Sequence, residues 1–130
     1  MAQNIKVGCR DLVEAAQQLI DEVTIEEVQD NRDDIVLVDI RDVRELKRDG
    51  KIPDAFHCPR GMLEFWIDPA SPYHKDIFQQ DKKFVFYCAS GWRSVLATEV
   101  AQRMGLSPVA NMIGGFGGWR DAGGSIEKKE

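Results

Sequence analysis

The sequence has no long apolar run, no excess of positive charge and no closely spaced pair of cysteines. No segment is apolar for long enough to span a bilayer or to form the core of a signal peptide, so we expect no membrane partner and a cytoplasmic location. The formal net charge is −5 and there is no basic run, which argues against a nucleic-acid partner. An anionic substrate must therefore be attracted by a local site and not by the field of the whole molecule.

Cysteine is scarce: the three residues are Cys9, Cys58 and Cys88, and no Cys-x-x-Cys spacing occurs. An odd number of cysteines without that spacing argues against both a disulfide framework and a zinc site. We therefore expect three free thiols in a reducing compartment, with neither a metal nor an organic cofactor.

The remaining composition is that of a globular domain. Of the 130 residues, 43% are hydrophobic and 30% are charged, a balance typical of one soluble domain that buries its own core. Apolar runs at 35–38, 55–58, 84–87 and 109–113 alternate with helical patterns, and no linker divides the chain. This alternation predicts an α/β fold in which helices cover both faces of a parallel sheet.

The two ends of the chain differ from the alternating part. Asp11 with Glu14 has the pattern of a helix start, and a helical apolar period continues from there to residue 23. We therefore expect residues 1–23 to form a helical extension that packs on the domain, and residues 24–123 to form the domain itself. Residues 124–130 are polar and are expected to form a flexible tail.

The stretch 83–104 combines a predicted strand, a short loop and a predicted helix that Gly105 is placed to end. In such a unit, backbone N–H groups converge on an anion at the N-terminus of the helix. Cys88 opens the loop and Arg93 closes it, with the helix expected to begin near Ser94. A cysteine so placed is expected to ionise to the thiolate. An inert buried cysteine is the competing interpretation, and Gly91 and Arg93 directly before a helix disfavour it.

The length of this loop separates two chemistries. Four residues lie between Cys88 and Arg93, whereas cysteine-dependent phosphatases place one residue more between the two, which makes room for a phosphoryl group. The tighter ring favours a sulfur atom carried on the cysteine as a persulfide. The thiolate would attack the outer sulfur of a donor such as thiosulfate and pass it to a thiol or to cyanide. The loop length disfavours arsenate or phosphate-ester chemistry.

Four residues, namely Asp39, Cys58, Cys88 and Gly114, lie at or just after the end of an apolar run. In an open parallel sheet the site lies beyond the carboxyl ends of the strands, so these residues are expected at one edge. Asp39 and Arg41 either position the cysteine loop or form a structural pair, and the sequence favours neither interpretation. Cys58 is either a resolving thiol or, as we favour, a small core residue.

Other side chains near these motifs are interpreted as structural. His57 is expected to be a strand histidine with satisfied hydrogen bonds, and His74 a solvated surface residue. Phe65 and Trp66 are expected to pack in the core. Trp92 is too large to turn wholly inward from a tight loop, so it is expected to shape access to the site and to favour the sulfur of a partner protein.

Four motifs in order make the chain resemble the rhodanese family, in particular single-domain thiosulfate sulfurtransferases, over residues 24–123. Residues 38–45 are similar to the family signature after its early strand, and residues 50–55 to its Gly-His-Ile-Pro-Gly-Ala turn. Gly114-Gly115 with Trp119 is similar to its C-terminal motif. The active loop is matched from Cys88 onward, with the cysteine as persulfide carrier and a substrate-binding loop of Ala89, Ser90, Gly91, Trp92, Arg93 and Ser94.

The resemblance implies a parallel five-stranded sheet of the rhodanese-like type, here with an extra N-terminal helix. It also implies a small anionic sulfur donor and an acceptor thiol, either a small molecule or a thioredoxin-like protein. Lys51 and Asp54 replace the histidine and a glycine of the family turn, which we expect to survive because aspartate tolerates turn conformations. The alternative function is a noncatalytic binding or regulatory module. The retained Cys88 and Arg93 disfavour it.

Overall fold

The computed structural model describes residues 2–129, so that Met1 of the predicted extension and Glu130 of the predicted tail lie outside it. Its sheet has five strands in the order β1-β5-β4-β2-β3, and all neighbouring strands are parallel. This confirms the predicted sheet. The strands are β1 (Asp21–Val23), β2 (Ile35–Asp39), β3 (Phe56–His57), β4 (Lys83–Tyr87) and β5 (Val109–Met112).

Six α-helices connect or flank these strands within the described residues. They are α1 (Cys9–Gln17), α2 (Ile25–Asp30), α3 (Val43–Asp49), α4 (Leu63–Ile67), α5 (Trp92–Met104) and α6 (Gly115–Asp121). Short 3-10 turns occur at Arg32–Asp34, Arg60–Met62 and Asp76–Gln79. As predicted, α5 ends at Gly105, which adopts the left-handed conformation with φ 106°. No helix within residues 2–129 has the length and apolarity needed to cross a membrane.

The two central strands, β2 and β4, supply side chains to two separate cores, because successive side chains of a strand point to opposite faces. One face packs against α4 and α5 through Val36, Val38, Phe84 and Phe86. The other face packs against α2 and α6 through Ile35, Leu37, Val85 and Tyr87. Both faces of the sheet are therefore covered by helices, as the continuous apolar runs predicted.

The N-terminal helix is shorter than predicted and begins earlier. It starts at Cys9, and the carboxylate of Asp11 accepts a hydrogen bond from the N–H of Gly8 at 2.9 Å, so Asp11 lies inside the first turn and is not the N-cap. The helix ends at Gln17, and Asp21–Val23 pairs with β5 as an edge strand. The prediction of helix up to residue 23 was wrong. Val23 is apolar because its side chain is buried on one face of the sheet, and its position matches the helical period only by coincidence.

Helix α1 packs against α5. Val13 and Ala16 are buried and form a small cluster with Val95 of α5. The N-terminal segment therefore covers the outer side of the helix that begins at the cysteine loop.

The segment after α6 is attached to the domain, which corrects the prediction of a flexible tail for residues 124–127. Trp119 is buried, and its indole N–H donates to the carbonyl of Ser125 at 2.8 Å. Lys51 and Glu127 exchange two backbone hydrogen bonds of 2.9 Å. A buried indole N–H needs an acceptor, and the chain after the helix supplies it.

The turn at residues 50–55 forms as expected despite its two departures from the family motif. Asp54 adopts φ 65°, a left-handed conformation that glycine takes freely and that aspartate tolerates better than most residues. The ammonium of Lys51 donates to the carbonyl of Ala55 at 3.2 Å and so bridges the turn.

Candidate active site

The cysteine loop joins β4 to α5 directly. Helix α5 begins at Trp92, two residues before the predicted start at Ser94, and Gly91 is its N-cap. Gly91 has φ 133°, which side-chain-bearing residues rarely adopt. Because this glycine turns the chain sharply, the loop closes straight into the helix and Arg93 lies in the first helical turn.

The sulfur of Cys88 is enclosed by hydrogen-bond donors. The residue is 1% exposed, and its Sγ accepts a hydrogen bond from the backbone N–H of Gly91 at 3.1 Å. The hydroxyl of Ser94 lies 3.3 Å from Sγ and 3.2 Å from the carbonyl of Gly91. Its single proton can satisfy one acceptor at a time, and an ionised sulfur is the stronger of the two. The N–H of Gly91 and the hydroxyl of Ser94 are therefore the two donors directed at the sulfur.

The backbone at the base of the loop is fixed by the first turn of α6. The N–H groups of Phe116 and Gly117 donate to the carbonyls of Cys88 and Ala89, at 2.8 and 3.0 Å. These N–H groups have no partner within the helix, so the loop carbonyls satisfy them. Gly115 allows the approach: a Cβ there would lie 2.6 Å from the carbonyl oxygen of Cys88.

Arg93 is held by a carboxylate that the sequence analysis missed. Its guanidinium makes two hydrogen bonds to Glu45 of α3, at 2.8 and 3.0 Å. The hydrogen bond from Arg93 lowers the pKa of Glu45, although partial burial works in the other direction. The same pair, with a smaller contribution from Cys88, raises the pKa of Arg93. A cation in a first helical turn opposes the helix dipole, so Glu45 offsets that cost and fixes the guanidinium.

Replacing Glu45 by glutamine is expected to lower the free energy of unfolding by about 1 kcal/mol at neutral pH, since the pair with Arg93 is partly exposed. Because folding lowers the pKa of Glu45, the pair stabilises above the ordinary glutamate pKa, and this contribution is lost as the pH falls through the folded value. Urea unfolding of both proteins at neutral pH and at roughly pH 3 measures the difference.

The control for this experiment is Glu99→Gln, which removes the i,i+4 pair with Arg103. Its effect is expected to stay below about 0.5 kcal/mol. A Glu45→Gln difference that is the same at both pH values would contradict the ionic role.

Asp39 and Arg41 form a buried ion pair, each 1% exposed. The guanidinium contacts the carboxylate at 2.8 to 3.2 Å and also donates to the carbonyl of Gly50 at 2.9 Å. Burial works to lower the pKa of Arg41, but the hydrogen bond and charge of Asp39 raise it overall. The hydroxyl of Tyr87 donates to the same carboxylate at 2.7 Å, and burial, followed by the Asp39 charge, raises the pKa of Tyr87.

This pair lies on the opposite face of the sheet from the cysteine. Asp39 is level with Tyr87 in the sheet register, and Cys88 is the next residue, so its side chain points the other way. The guanidinium of Arg41 lies 4.1 Å from the ring centre of Phe116, whose N–H binds the carbonyl of Cys88. Both interpretations left open are compatible with this geometry, because the two side chains form a buried pair and the pair contacts Phe116 and Tyr87, which adjoin the cysteine loop.

The family model described as the rhodanese-like domain matches residues 24–122 of this chain. The chain belongs to the rhodanese-like domain family. Among its relatives, the mitochondrial thiosulfate sulfurtransferase RDL2 of Saccharomyces cerevisiae is 31% identical over 107 residues, which cover 78% of this chain and 70% of that protein. The putative sulfurtransferase YtwF of Bacillus subtilis is 30% identical over 87 residues, 67% of this chain and 75% of that protein.

Solved structures show the same fold. A protein of Rhodopseudomonas palustris, described as of unknown function and as a possible tyrosine phosphatase, is 58% identical with a TM-score of 0.93, covering 98% of this chain and 99% of that one. The human single-domain sulfurtransferase TSTD1 is 25% identical with a TM-score of 0.64, covering 77% of this chain and 95% of that one. Two chemistries are thus named among the relatives of this rhodanese-like domain.

The second buried cysteine of the rhodanese-like domain lies in the same core as Cys88. Cys58 is fully buried, and this burial raises the pKa of its thiol to about 12. It therefore stays protonated at neutral pH, which fits the favoured interpretation as a core residue. The neighbouring His57 donates from Nε2 to the carbonyl of Arg41 at 2.7 Å, as expected of a satisfied strand histidine.

Aromatic side chains of this rhodanese-like domain divide between core and surface. Trp66 packs against the core beside Phe56, at 5.9 Å between ring centres. The prediction for Phe65 was wrong, since it is 52% exposed: α4 has only five residues, and Leu63 and Ile67 occupy its inner side. Trp92 is 48% exposed, with the guanidinium of Arg10 5.7 Å from its ring centre.

The expectation of a solvated His74 was also wrong. Its side chain is 13% exposed, with Nε2 3.7 Å from a carboxylate oxygen of Asp76. Its Nδ1 is buried without a hydrogen-bond partner among the described residues. Backbone hydrogen bonds from His74 to Ser71 at 3.2 Å and from Lys75 to Trp66 at 3.0 Å attach the loop between Ile67 and β4 to α4, which the two prolines of the segment did not reveal. Over residues 2–129, His, Cys, Asp and Glu side chains form no group that could hold a metal ion.

Proposed function

We propose that this rhodanese-like domain is a sulfurtransferase that accepts sulfane sulfur on Cys88 as a persulfide and passes it to an acceptor thiol or to cyanide. The observation that carries the proposal is the enclosed sulfur of Cys88, with the Gly91 N–H and the Ser94 hydroxyl directed at it. Relatives named as sulfurtransferases support the same chemistry.

In the first half of the reaction, the thiolate of Cys88 attacks the outer sulfur of thiosulfate. A bond forms between the two sulfur atoms, the sulfur–sulfur bond of thiosulfate breaks, and the electron pair leaves with sulfite. In the second half, an acceptor thiolate or cyanide attacks the terminal sulfur of the persulfide, and the Cys88 thiolate is released. Donors already in place around the sulfur stabilise negative charge in both halves without rearrangement.

Arg93 has the role of attracting and orienting the anionic donor. Its guanidinium is 43% exposed while Glu45 fixes it from one side, so the remaining N–H groups stay available to an anion. Asp39 and Arg41 act as positioning residues through Phe116. The cytoplasmic location remains a prediction.

The proposal is tested by comparing sulfur uptake with phosphate-ester hydrolysis, because the Rhodopseudomonas palustris relative is described as a possible phosphatase. After incubation with thiosulfate, the intact mass is expected to rise by one sulfur atom per chain, and dithiothreitol is expected to remove it. Hydrolysis of an aryl phosphate is expected to stay at background, since only four residues separate Cys88 from Arg93.

Two outcomes would overturn the proposal. Preferential hydrolysis of the ester would show that loop length does not exclude the phosphoryl group. A folded protein that gains no sulfur and hydrolyses no ester would favour the noncatalytic module.

A further inference from the structure

A pocket of about 210 Å³ lies beside the cysteine loop, on the side covered by α1. Gly91 and Trp92 of the loop form one wall, and Val13 of α1 lies opposite. Glu22 of β1 and Asn111 of β5, together with Gln17 and Ser90, form the polar part of the lining. Gly91 also donates its N–H to the sulfur of Cys88, so the pocket adjoins the residue that contacts the sulfur.

Asn111 has one unsatisfied atom in this lining. The residue is 1% exposed, and its amide nitrogen donates to the carboxylate of Glu22 at 2.9 Å. A carboxylate only accepts, so this hydrogen bond fixes the orientation of the amide. The amide oxygen of Asn111 accepts no hydrogen bond from any residue of the described chain. Buried polar groups are almost always paired, so this acceptor is satisfied by a donor from outside the chain, either a water or a ligand.

The charge of the lining shows which donor fits. Among the described residues that line the pocket, Glu22 is the only charged one, and its carboxylate accepts from the amide nitrogen of Asn111, whose amide oxygen stays unpaired. Two acceptors, one of them negative, match the three N–H donors and the positive charge of a primary ammonium. Val13, Trp92 and Ile113 supply apolar walls against which a short methylene chain can pack.

We propose that this pocket binds the ammonium group of a small primary amine, and that the acceptor in the sulfur transfer is an aminothiol held by its ammonium group. The second part rests on the proposed sulfurtransferase function. The thiolate of the aminothiol attacks the terminal sulfur of the Cys88 persulfide. A new sulfur–sulfur bond forms on the aminothiol, and the bond to Cys88 breaks with its electron pair remaining on Cys88.

The site is tested directly with an amine that carries no thiol. In the isotope-labelled protein, propylammonium is expected to shift the NMR signals of the Asn111 side-chain amide and the Gly91 backbone amide saturably, and propanol is not. Glu22→Gln keeps an acceptor for Asn111 but removes the charge, and is expected to weaken amine binding about tenfold. The matched control is Glu26→Gln, an exposed residue in the first turn of α2 that is outside the pocket lining.

The second variant is Asn111→Leu, which retains the size of the side chain and removes the free oxygen. It is expected to abolish the Gly91 shift. Shifts of equal size with propanol, or amine binding that Glu22→Gln leaves unchanged, would overturn the site. Glu22→Gln gives this answer even if Asn111→Leu fails to fold.

The aminothiol assignment is tested on the persulfide form, with cysteamine and mercaptoethanol as acceptors. The ratio of kcat/KM for cysteamine to that for mercaptoethanol is expected to fall about tenfold in Glu22→Gln and to be unchanged in Glu26→Gln. The different acidities of the two thiols cancel, because the same pair is compared in each protein.

The outcomes separate the two proposals. Saturable amine binding without persulfide formation would leave the site standing and overturn the sulfur-transfer role. A persulfide that forms normally, with an unchanged ratio and no amine binding, would overturn the site alone.

Discussion

Replacing Cys88 by serine is expected to abolish the uptake of sulfur from thiosulfate. Serine is close to cysteine in size and can still accept the hydrogen bond that the Gly91 N–H now makes to sulfur. Its hydroxyl does not ionise at neutral pH and cannot form a persulfide, so thiosulfate:cyanide transfer is expected to fall by at least about a thousandfold. Intact mass after incubation with thiosulfate and the rate of thiocyanate formation are the two measurements.

Cys58→Ala and Cys9→Ser are the matched controls, since the chain has three cysteines. Cys58 is buried with a raised thiol pKa, so its loss is expected to cost about 1 kcal/mol of stability and to leave sulfur uptake intact. Cys9 is exposed. A Cys88→Ser protein that still gained one sulfur would contradict the proposal. Cys9 would then be the next cysteine to substitute, to test whether it carries the sulfur.

The cysteine loop could be predicted from the sequence because all of its parts are local. A strand, a cysteine, a glycine and an arginine at fixed spacing before a helix leave few conformations to the backbone. The structure adds that Gly91 is the N-cap, so α5 begins two residues earlier in the chain than predicted. Capping glycines in unusual conformations are hard to place from periodicity, since the apolar pattern of the helix begins only further along.

The partners that hold the loop are distant in sequence and could not be predicted in the same way. Glu45 is 48 residues from Arg93, and neither the family signature over residues 38–45 nor the capping pattern with Asp42 indicated that it binds Arg93. Asp39 was correctly expected at the carboxyl edge of the sheet. The face to which it points depends on register with Tyr87, which the sequence alone does not fix.

Edge strand β1 was missed for a related reason. It has three residues, and only Val23 is buried, so neither alternation nor an apolar run distinguishes it from the end of a helix. Its pairing with β5 nevertheless places Glu22 next to Asn111 and so forms the polar wall of the proposed ammonium site. A short edge strand thus decides a feature of the site that no local pattern indicated.

Replacing Gly115 by alanine is expected to lower both the stability of the domain and the rate of sulfur transfer. Gly115 has φ 58°, and a Cβ there would lie 2.6 Å from the carbonyl oxygen of Cys88 and 2.7 Å from that of Ala89. Both contacts are backbone atoms, which cannot rotate away as a side chain would. To relieve the clash, α6 must separate from the loop, which breaks the hydrogen bonds that Phe116 and Gly117 donate.

We expect Gly115→Ala to lower the free energy of unfolding by about 2–4 kcal/mol, from left-handed strain, lost hydrogen bonds and imperfect packing. Thiosulfate:cyanide transfer is expected to fall about a hundredfold, because displacing the loop misaligns the donors around the sulfur. Urea unfolding and transfer rates measured below the unfolding transition separate the two effects.

Gly117→Ala is the matched control, two residues further along the same helix. A Cβ there would lie 3.4 Å from the carbonyl oxygen of Ala89, an ordinary contact, and its backbone is not left-handed. We expect it to change stability by less than about 1 kcal/mol and transfer by less than about threefold. If Gly115→Ala transferred sulfur as well as Gly117→Ala, docking of α6 would not be what fixes the loop. The conformation would then have to come from Gly91 and the Arg93–Glu45 pair, which act on the end of the loop that enters α5.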